Sequence, residues 1–387
     1  MTRNHAPNKA RQLHSTLRML MVVLLLIYAA TRLFALLMFP PFLDEVDHIL
    51  WARDVYDLRP FTGAINGKLF GLWWMSVFDL RGDASLFVVR AATVLFQMLT
   101  VAGLYRLGRQ FGSGWVGIVA AALYIVSPYA MFYDRMALMD PYVVAFAVLL
   151  AVFSVQAARS GQRLHAFYAG MLLCAAVLGK ATGVMLFIVP LLALLFLGKL
   201  SVRQRVLQAV VTFGTFAAFW GPFYVFLRWR GYSYFSTAQN VVGTTESTEM
   251  LERVWYNLTS TDGIFALNVV YHGWLFVALV CVAVLYLLVV TWRRGLFLLG
   301  TLALPLGGLL LFAEKLSPRY FHFHIPFAYL ILAVALITFG RLLNRRLRWP
   351  RALPAGVVLL AWAVFVSLPF YDHYLRDPAT LNVPRLD

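Results

Sequence analysis

Apolar stretches of about 17 residues or more recur along nearly the whole of this chain, and each is long enough, as a helix, to cross a hydrocarbon core of roughly 30 Å. No other feature constrains the fold so tightly. In lipid every backbone N–H and C=O needs an internal partner, so a spanning chain is either a helical bundle or a closed barrel. Barrel strands would read as short alternating segments, and the sequence contains none. The expected fold is therefore all-α: a polytopic integral membrane protein with about eleven transmembrane helices. Composition agrees. Of 387 residues 61% are hydrophobic and only 13% charged, about half the charged share of a soluble domain. The spans are expected at residues 17–39, 86–107, 115–133, 141–158, 165–180, 183–198, 206–228, 266–291, 295–313, 320–340 and 352–371.

Charge placement orients this bundle, because cytoplasmic loops are enriched in Lys and Arg. With the N-terminus inside, the inner segments hold Arg3, Lys9, Arg11 and Arg18, then Arg106 and Arg109, Arg159 and Arg163, and Lys199, Arg203 and Arg205. The last two hold Arg293 and Arg294, and Arg341, Arg345, Arg346, Arg348 and Arg351. These inner segments carry no acid; all 17 Asp and Glu fall outside or at outer helix ends. A missed or extra span would scramble that segregation from its position onward. The net charge of +16 is thereby explained by topology, and no nucleic-acid partner is expected. Residues 1–18 form a basic cytoplasmic N-terminus, and the apolar stretch behind them is too long for a signal-peptide core and lacks a small-residue cleavage site. It reads as a retained first span, in what looks like a bacterial plasma (inner) membrane, since Arg outnumbers Lys 28 to 5 as GC-rich genomes favour. The C-terminal tail, 372–387, then lies outside. The two cysteines, Cys174 and Cys281, fall inside spans and read as buried thiols.

Two outer segments are long, 40–85 and 229–264. The first mixes Trp51, Tyr56, Phe61, Trp73 and Trp74 with Asp44, Glu45, Asp47, Arg53 and Asp54, a pattern that suits helices lying in the membrane interface. The second contains Tyr232, Tyr234 and Glu246 and is long enough to help shape a site on that face.

Four groups of residues on the outer side carry possible chemistry. Asp44-Glu45, beside Asp47 and His48, follows the first span; a carboxylate held there can accept a proton from a hydroxyl. A solvated helix start, where acids are favoured by the helix dipole, accounts for the same residues. The next turn reads Tyr133-Asp134-Arg135-Met136-Ala137-Leu138-Met139-Asp140-Pro141. Asp140 and Pro141 suit a helix start, whereas Arg135 has no such local reason and can pair with an acid or bind a phosphate. Lys180, in Gly179-Lys180-Ala181-Thr182-Gly183, sits near membrane depth, where it either snorkels to the interface or binds an anion. Arg319-Tyr320 opens the tenth span after Glu314-Lys315, with His322, His324 and Pro326 behind it. The spacing His322-Phe323-His324 puts the rings on different faces of a helix and argues against a two-histidine metal site. Gly112-Ser113-Gly114-Trp115-Val116-Gly117 matches a dinucleotide fingerprint literally, but no strand or βαβ unit surrounds it. Asn257-Leu258-Thr259 is a glycosylation acceptor only in a eukaryotic cell.

Taken in order, the outer Asp44-Glu45, the Arg135-to-Asp140 turn, the Lys180 turn and Ser317-Pro318-Arg319-Tyr320 through Pro326 resemble the membrane glycosyltransferases of the C fold. The protein O-mannosyltransferases and the lipid A aminoarabinose transferase are the nearest of these. The resemblance covers about residues 17–340, within a transmembrane domain of 19–371. It implies transfer of a hexosyl or pentosyl group from a polyprenyl- or dolichyl-phosphate donor to an acceptor hydroxyl of a protein, lipid or glycan. Transfer would occur on the extracytoplasmic face with inversion. It further implies that Asp44 is the catalytic base with Glu45 beside it, that Arg135, Lys180, Arg319 and Tyr320 meet the donor phosphate, and that Asp140 and His48 support the site. No cofactor is firmly implied; a divalent metal near Asp140 is compatible with the family. The sequence departs from the family at Lys180-Ala181-Thr182-Gly183, which stands where a Lys-Gly turn is expected. Two other readings stay open: a membrane transporter or lipid flippase, and an inactive partner in an envelope complex. Acids avoid the span centres, Arg32 and Arg90 are the main charges near span ends, and no duplicated halves are visible; transporters tend to the opposite on each point.

Overall fold

The computed structural model describes residues 6–42, 44–78, 80–234, 251–252, 254–256, 273–312, 318–347 and 353–376. Among them no strand occurs, and helices follow one another in chain order. The first group comprises α1 (Ala6–Leu33), α2 (Glu45–Tyr56), α3 (Phe70–Met75), α4 (Ser85–Phe111), α5 (Gly114–Ile125), α6 (Pro128–Tyr133), α7 (Asp140–Ser160) and α8 (Arg163–Gly179). A stretch of 3-10, α and π turns, Ala181–Phe187, α9 (Ile188–Leu192) and Ala193–Leu197, leads to α10 (Val202–Trp229). The chain continues with α11 (Gly273–Phe312), the 3-10 turn Pro318–His324, α12 (Ile325–Leu347), α13 (Leu353–Trp362), a π turn and α14 (Leu368–Arg376).

Seven of these helical runs are long and apolar enough to cross a membrane, and three shorter apolar ones accompany them. Among the described residues each expected span overlaps helix, though only seven runs meet the length and hydropathy of a full crossing. The long α11 covers two of the expected spans, and its geometry shows how. Thr291 is non-helical, with φ −146° and ψ 60°. A Cβ on Gly295 would lie 2.9 Å from the Leu288 nitrogen, whereas seven residues of straight helix separate atoms by ~10 Å. The chain therefore doubles back at Thr291, beside Arg293 and Arg294. The expected sixth span is the irregular run from Ala181 to Leu197, which holds Pro190.

Burial divides the bundle into a core and a jacket. The spans of α7 and α12 are 83% buried, those of α1 and α10 only 17%. The central α7 packs against α4 and α8, and α12 against α5 and α11. The apolar outer faces of α1, α10 and α11 suit hydrocarbon, as expected when lipid replaces water as solvent. One expectation needs correcting here: Cys174 is buried, but Cys281 is exposed on α11, because that helix belongs to the jacket. Local chemistry starts two of the helices. Ser201 and Gln204 form a reciprocal capping box on α10, and Ser127 accepts from the Ala130 N–H ahead of Pro128 in α6.

The first long outer segment folds into α2 and α3. Of the second, residues up to Tyr234, 251–252 and 254–256 are described, and Glu246 lies outside the described residues, as do Asn257 to Thr259, Glu314, Lys315, Ser317 and the tail beyond Arg376.

Candidate active site

The site is assembled where α2, the turn after α8, the start of α7 and the 3-10 turn before α12 meet. Two backbone hydrogen bonds begin it. Leu69 N–H donates to the Leu178 carbonyl at 2.9 Å and Ala181 N–H to the Gly67 carbonyl at 2.9 Å. These bonds lay residues 67–69 alongside 178–181, so Lys68 and Lys180 emerge side by side. Gly67 makes the approach feasible: its φ is +62°, and a Cβ there would sit 2.7 Å from the Ala181 Cβ. Such a position strongly favours glycine.

Asp44 sits at the N-cap of α2. Its Oδ2 accepts from Lys68 Nζ at 2.8 Å and lies 3.1 Å from Arg319 Nη1. Burial alone would raise the Asp44 carboxyl, but Arg319 and Lys68 outweigh it and hold the group well below the usual carboxylate range. Asp140, in the first turn of α7, accepts from Lys180 Nζ at 2.7 Å. The Lys180 ammonium also stands 4.2 Å from the centre of the Tyr320 ring, whose neighbour Arg319 lies 5.5 Å from that centre. Tyr320 is thus held between two cations, an arrangement its ring quadrupole favours. Counting Lys68, Lys180 and Arg319 against Asp44 and Asp140 leaves one positive charge in excess.

His48 is neutral here. Its Nδ1 donates to the Ala137 carbonyl at 2.7 Å, which leaves Nε2 to accept from Lys68 at 3.2 Å. Burial and then the Lys68 ammonium push its pKa down to about 3. Lys68 is thereby fixed between Asp44 and His48, with its ammonium 5.6 Å from the Trp51 ring centre. Burial lowers its own pKa from the ordinary lysine value, and Asp44 opposes that shift.

Glu45, the neighbour of Asp44, is placed quite differently. Oε1 accepts from Arg90 Nε at 2.9 Å and from the Ala137 N–H at 2.6 Å. Oε2 accepts from Arg90 Nη2 at 2.5 Å and from the Phe42 N–H at 2.8 Å. Arg90 spends its remaining donors on the carbonyls of Leu36, Phe39 and Pro40. Both side chains of this pair are 0% exposed, against 28% for Asp44. The pair knots the end of α1, the start of α2 and the 134–140 turn together, and Glu45 presents no oxygen to an incoming molecule.

Asp134 anchors the same turn from within. It accepts from Tyr28 at 3.0 Å, from Tyr124 at 2.8 Å and from His322 Nε2 at 2.9 Å, tying α1 and α5 to the turn that carries Arg319. Arg135 is buried, and one of its Nη groups donates to the Phe34 carbonyl just beyond α1.

The structure thus brings together Asp44, His48, Asp140, Lys180, Arg319 and Tyr320 among the expected residues, and directs Glu45 and one donor of Arg135 to the scaffold. Sequence reasoning missed Lys68. A faint signal existed: the chain has only five lysines, and Lys68 stands among acids of the first outer segment. Among the described residues no three His, Cys, Asp or Glu side chains gather as metal ligands, and Asp140 is held by a lysine.

Comparisons with known proteins bear on the fold. The family model for dolichyl-phosphate-mannose-protein mannosyltransferases matches residues 69–223, a stretch that includes Arg135, Asp140 and Lys180. No curated protein sequence matches the chain. The oligosaccharyltransferase AglB of Archaeoglobus fulgidus, solved in complex with an inhibitory peptide and a dolichol-phosphate, superposes with a TM-score of 0.63 at 13% identity. That superposition covers 93% of this chain and 56% of AglB. The apo form of the Archaeoglobus fulgidus oligosaccharyltransferase gives 0.64 at 14% identity, covering 92% and 55%. ArnT from Cupriavidus metallidurans, bound to undecaprenyl phosphate, gives 0.55 at 16% identity, covering 90% and 70%. This chain is therefore an integral membrane protein with the C fold of membrane glycosyltransferases, and residues 69–223 resemble the dolichyl-phosphate-mannose-protein mannosyltransferases. It spans just over half the length of the oligosaccharyltransferases it superposes on.

Proposed function

We propose that this chain transfers a sugar from a polyprenyl- or dolichyl-phosphate donor to the hydroxyl of a protein, lipid or glycan acceptor, at the extracytoplasmic face and with inversion. The observation that carries the reading is Asp44 held by Lys68 and Arg319 beside the Lys180–Asp140 pair, partly exposed at one end of an apolar bundle. An eleven-span topology with the N-terminus inside puts that end on the outer face, as the segregation of bases supports.

The donor phosphate meets Lys68, Lys180 and Arg319. A singly charged lipid phosphodiester cancels the excess positive charge of the cluster, and the leaving lipid phosphate gains a further negative charge as the glycosidic bond breaks. Fixed cations stabilise that developing charge most strongly in a site screened from water. Asp44 takes the proton of the acceptor hydroxyl, the oxygen attacks the anomeric carbon, and the bond from that carbon to the phosphate oxygen breaks on the opposite side. While Lys68 and Arg319 sit on Asp44 its basicity is low. A phosphate that draws them away raises it, so donor binding precedes acceptor activation. Glu45, His48 and Asp134 position these groups without touching substrate.

Sugar transfer from lipid-phosphate donors in reconstituted vesicles tests the reading. Asp44→Asn is expected to slow transfer by about a hundred- to ten-thousand-fold while leaving the protein folded. Wild-type rates in that variant would remove Asp44 from the mechanism.

A further inference from the structure

The end of the bundle opposite this site carries a second concentration of charge. Three guanidiniums from three helices converge on three consecutive residues where α4 ends. Arg159 of α7 donates from Nη1 to the Gln110 carbonyl at 2.6 Å. Arg294, after the Thr291 turn, donates from Nη1 to the Phe111 carbonyl at 2.8 Å. The Nη2 and Nη1 atoms of Arg341 in α12 stand 3.7 and 3.8 Å from where a Cβ of Gly112 would be. The turn is rigidly held, since Phe111 is buried and stacks on Phe297 of α11 with ring centres 5.6 Å apart.

Capping the end of α4 explains two of these contacts. It does not explain a third guanidinium at the same turn, nor the mutual repulsion of Arg159 and Arg294. The usual remedy is a carboxylate, and among the described residues none lies at this end; the inner segments are devoid of acids throughout. Arg159 and Arg294 keep donors beyond the one each gives to the main chain, Arg341 stands beside them without capping the helix, and guanidiniums match phosphate oxygens in pairs. Gly112, having no side chain, leaves room beside Arg341.

We propose that Arg159, Arg294 and Arg341 form a phosphate-binding site at the end of the bundle opposite Asp44. The turn lies at the ends of four helices, where a bilayer presents its headgroups, so an anionic phospholipid is one source of that phosphate and free phosphate the other. The inference is independent of the transferase reading.

Native mass spectrometry of the purified full chain in detergent tests it, with phosphatidylglycerol, phosphatidylcholine and inorganic phosphate as separate probes. Phosphatidylglycerol is expected to bind the wild type at least about tenfold more tightly than it binds Arg159→Gln/Arg294→Gln/Arg341→Gln. The same preference should survive in Arg163→Gln/Arg203→Gln, which removes two arginines from other inner segments. If inorganic phosphate binds with the same dependence on the three arginines and displaces the lipid, the site stands and its source is free phosphate. Arg341→Gln alone keeps both capping bonds and should still weaken binding, which covers failure of the triple variant to fold. Equal binding of phosphatidylglycerol to wild type and Arg341→Gln, or an equal loss in Arg163→Gln/Arg203→Gln, would overturn the site.

Discussion

The two ends of this bundle are both rich in bases but use them in opposite ways. At the end where α4 finishes, arginines meet main-chain carbonyls: Arg159 on Gln110, Arg294 on Phe111, and Arg205 on Gly198 and Leu200. At the end where α7 begins, bases meet carboxylates: Lys68 and Arg319 on Asp44, Lys180 on Asp140, Arg90 on Glu45. A carbonyl is a permanent part of the helix it terminates, so the first kind of contact fastens structure. A carboxylate can exchange one cation for a proton or cede it to a phosphate, so the second kind permits chemistry. Within the second end the same contrast recurs at smaller scale. Arg90–Glu45 is sealed and fully bonded, whereas Lys68–Asp44 is partly open.

Replacing charges at each end should expose that difference. The largest effect on turnover belongs to Asp44→Asn, about a hundred- to ten-thousand-fold with little change in melting temperature. Arg90→Ala is the reverse case. It leaves Glu45 charged and buried, which typically costs about 3–5 kcal/mol, and is expected to empty the folded peak in fluorescence-detected size exclusion. A folded Arg90→Ala protein with normal melting would dissolve the distinction between sealed and open pairs.

His48 gives an intermediate effect through pH. Its folded pKa of about 3 lies below its ordinary value of 6.5, so the unfolded chain binds more protons between those values and stability falls as pH drops below about 6.5. At pH 5 the loss amounts to ~2 kcal/mol. His48→Asn should flatten the fall in melting temperature between pH 7 and pH 5, and an unchanged slope would show that His48 does not govern it. Asp44 shifts in the same direction for a different purpose. Because Arg319 and Lys68 keep it ionised well into acid before donor binds, the acid limb of kcat/KM, which reports the free protein, should lie below the usual carboxylate range. Lys68→Met should move that limb to higher pH. The smallest effect is expected at the opposite end: Arg205→Gln removes two bonds to the carbonyls of a partly buried turn, about 1 kcal/mol or less, with transfer unaltered.

Much of this was legible in the sequence, for a physical reason. Apolar length and the one-sided placement of bases respond to the bilayer, a field acting on every residue independently, so Arg293-Arg294 could mark the reversal at Thr291 without knowledge of what packs there. Site residues were legible where they cluster near helix ends, as with Asp140, Lys180 and Arg319. The roles of neighbours were not. Asp44 and Glu45 are adjacent and chemically alike, yet one faces a cation cluster and the other is enclosed by Arg90 and two backbone amides. That distinction depends on residues up to 275 positions away in the chain, Arg319 being the farthest. Lys68 escaped for the same reason, since its importance comes from the backbone pairing of residues 67–69 with 178–181, which no local pattern announces.

That pairing sets the distance between the two lysines by main-chain geometry alone. Residues 70–84 can therefore vary without moving these two stretches relative to one another, provided that Gly67 keeps its close approach to Ala181, whereas the 134–140 turn, which holds Asp140 against Lys180, cannot.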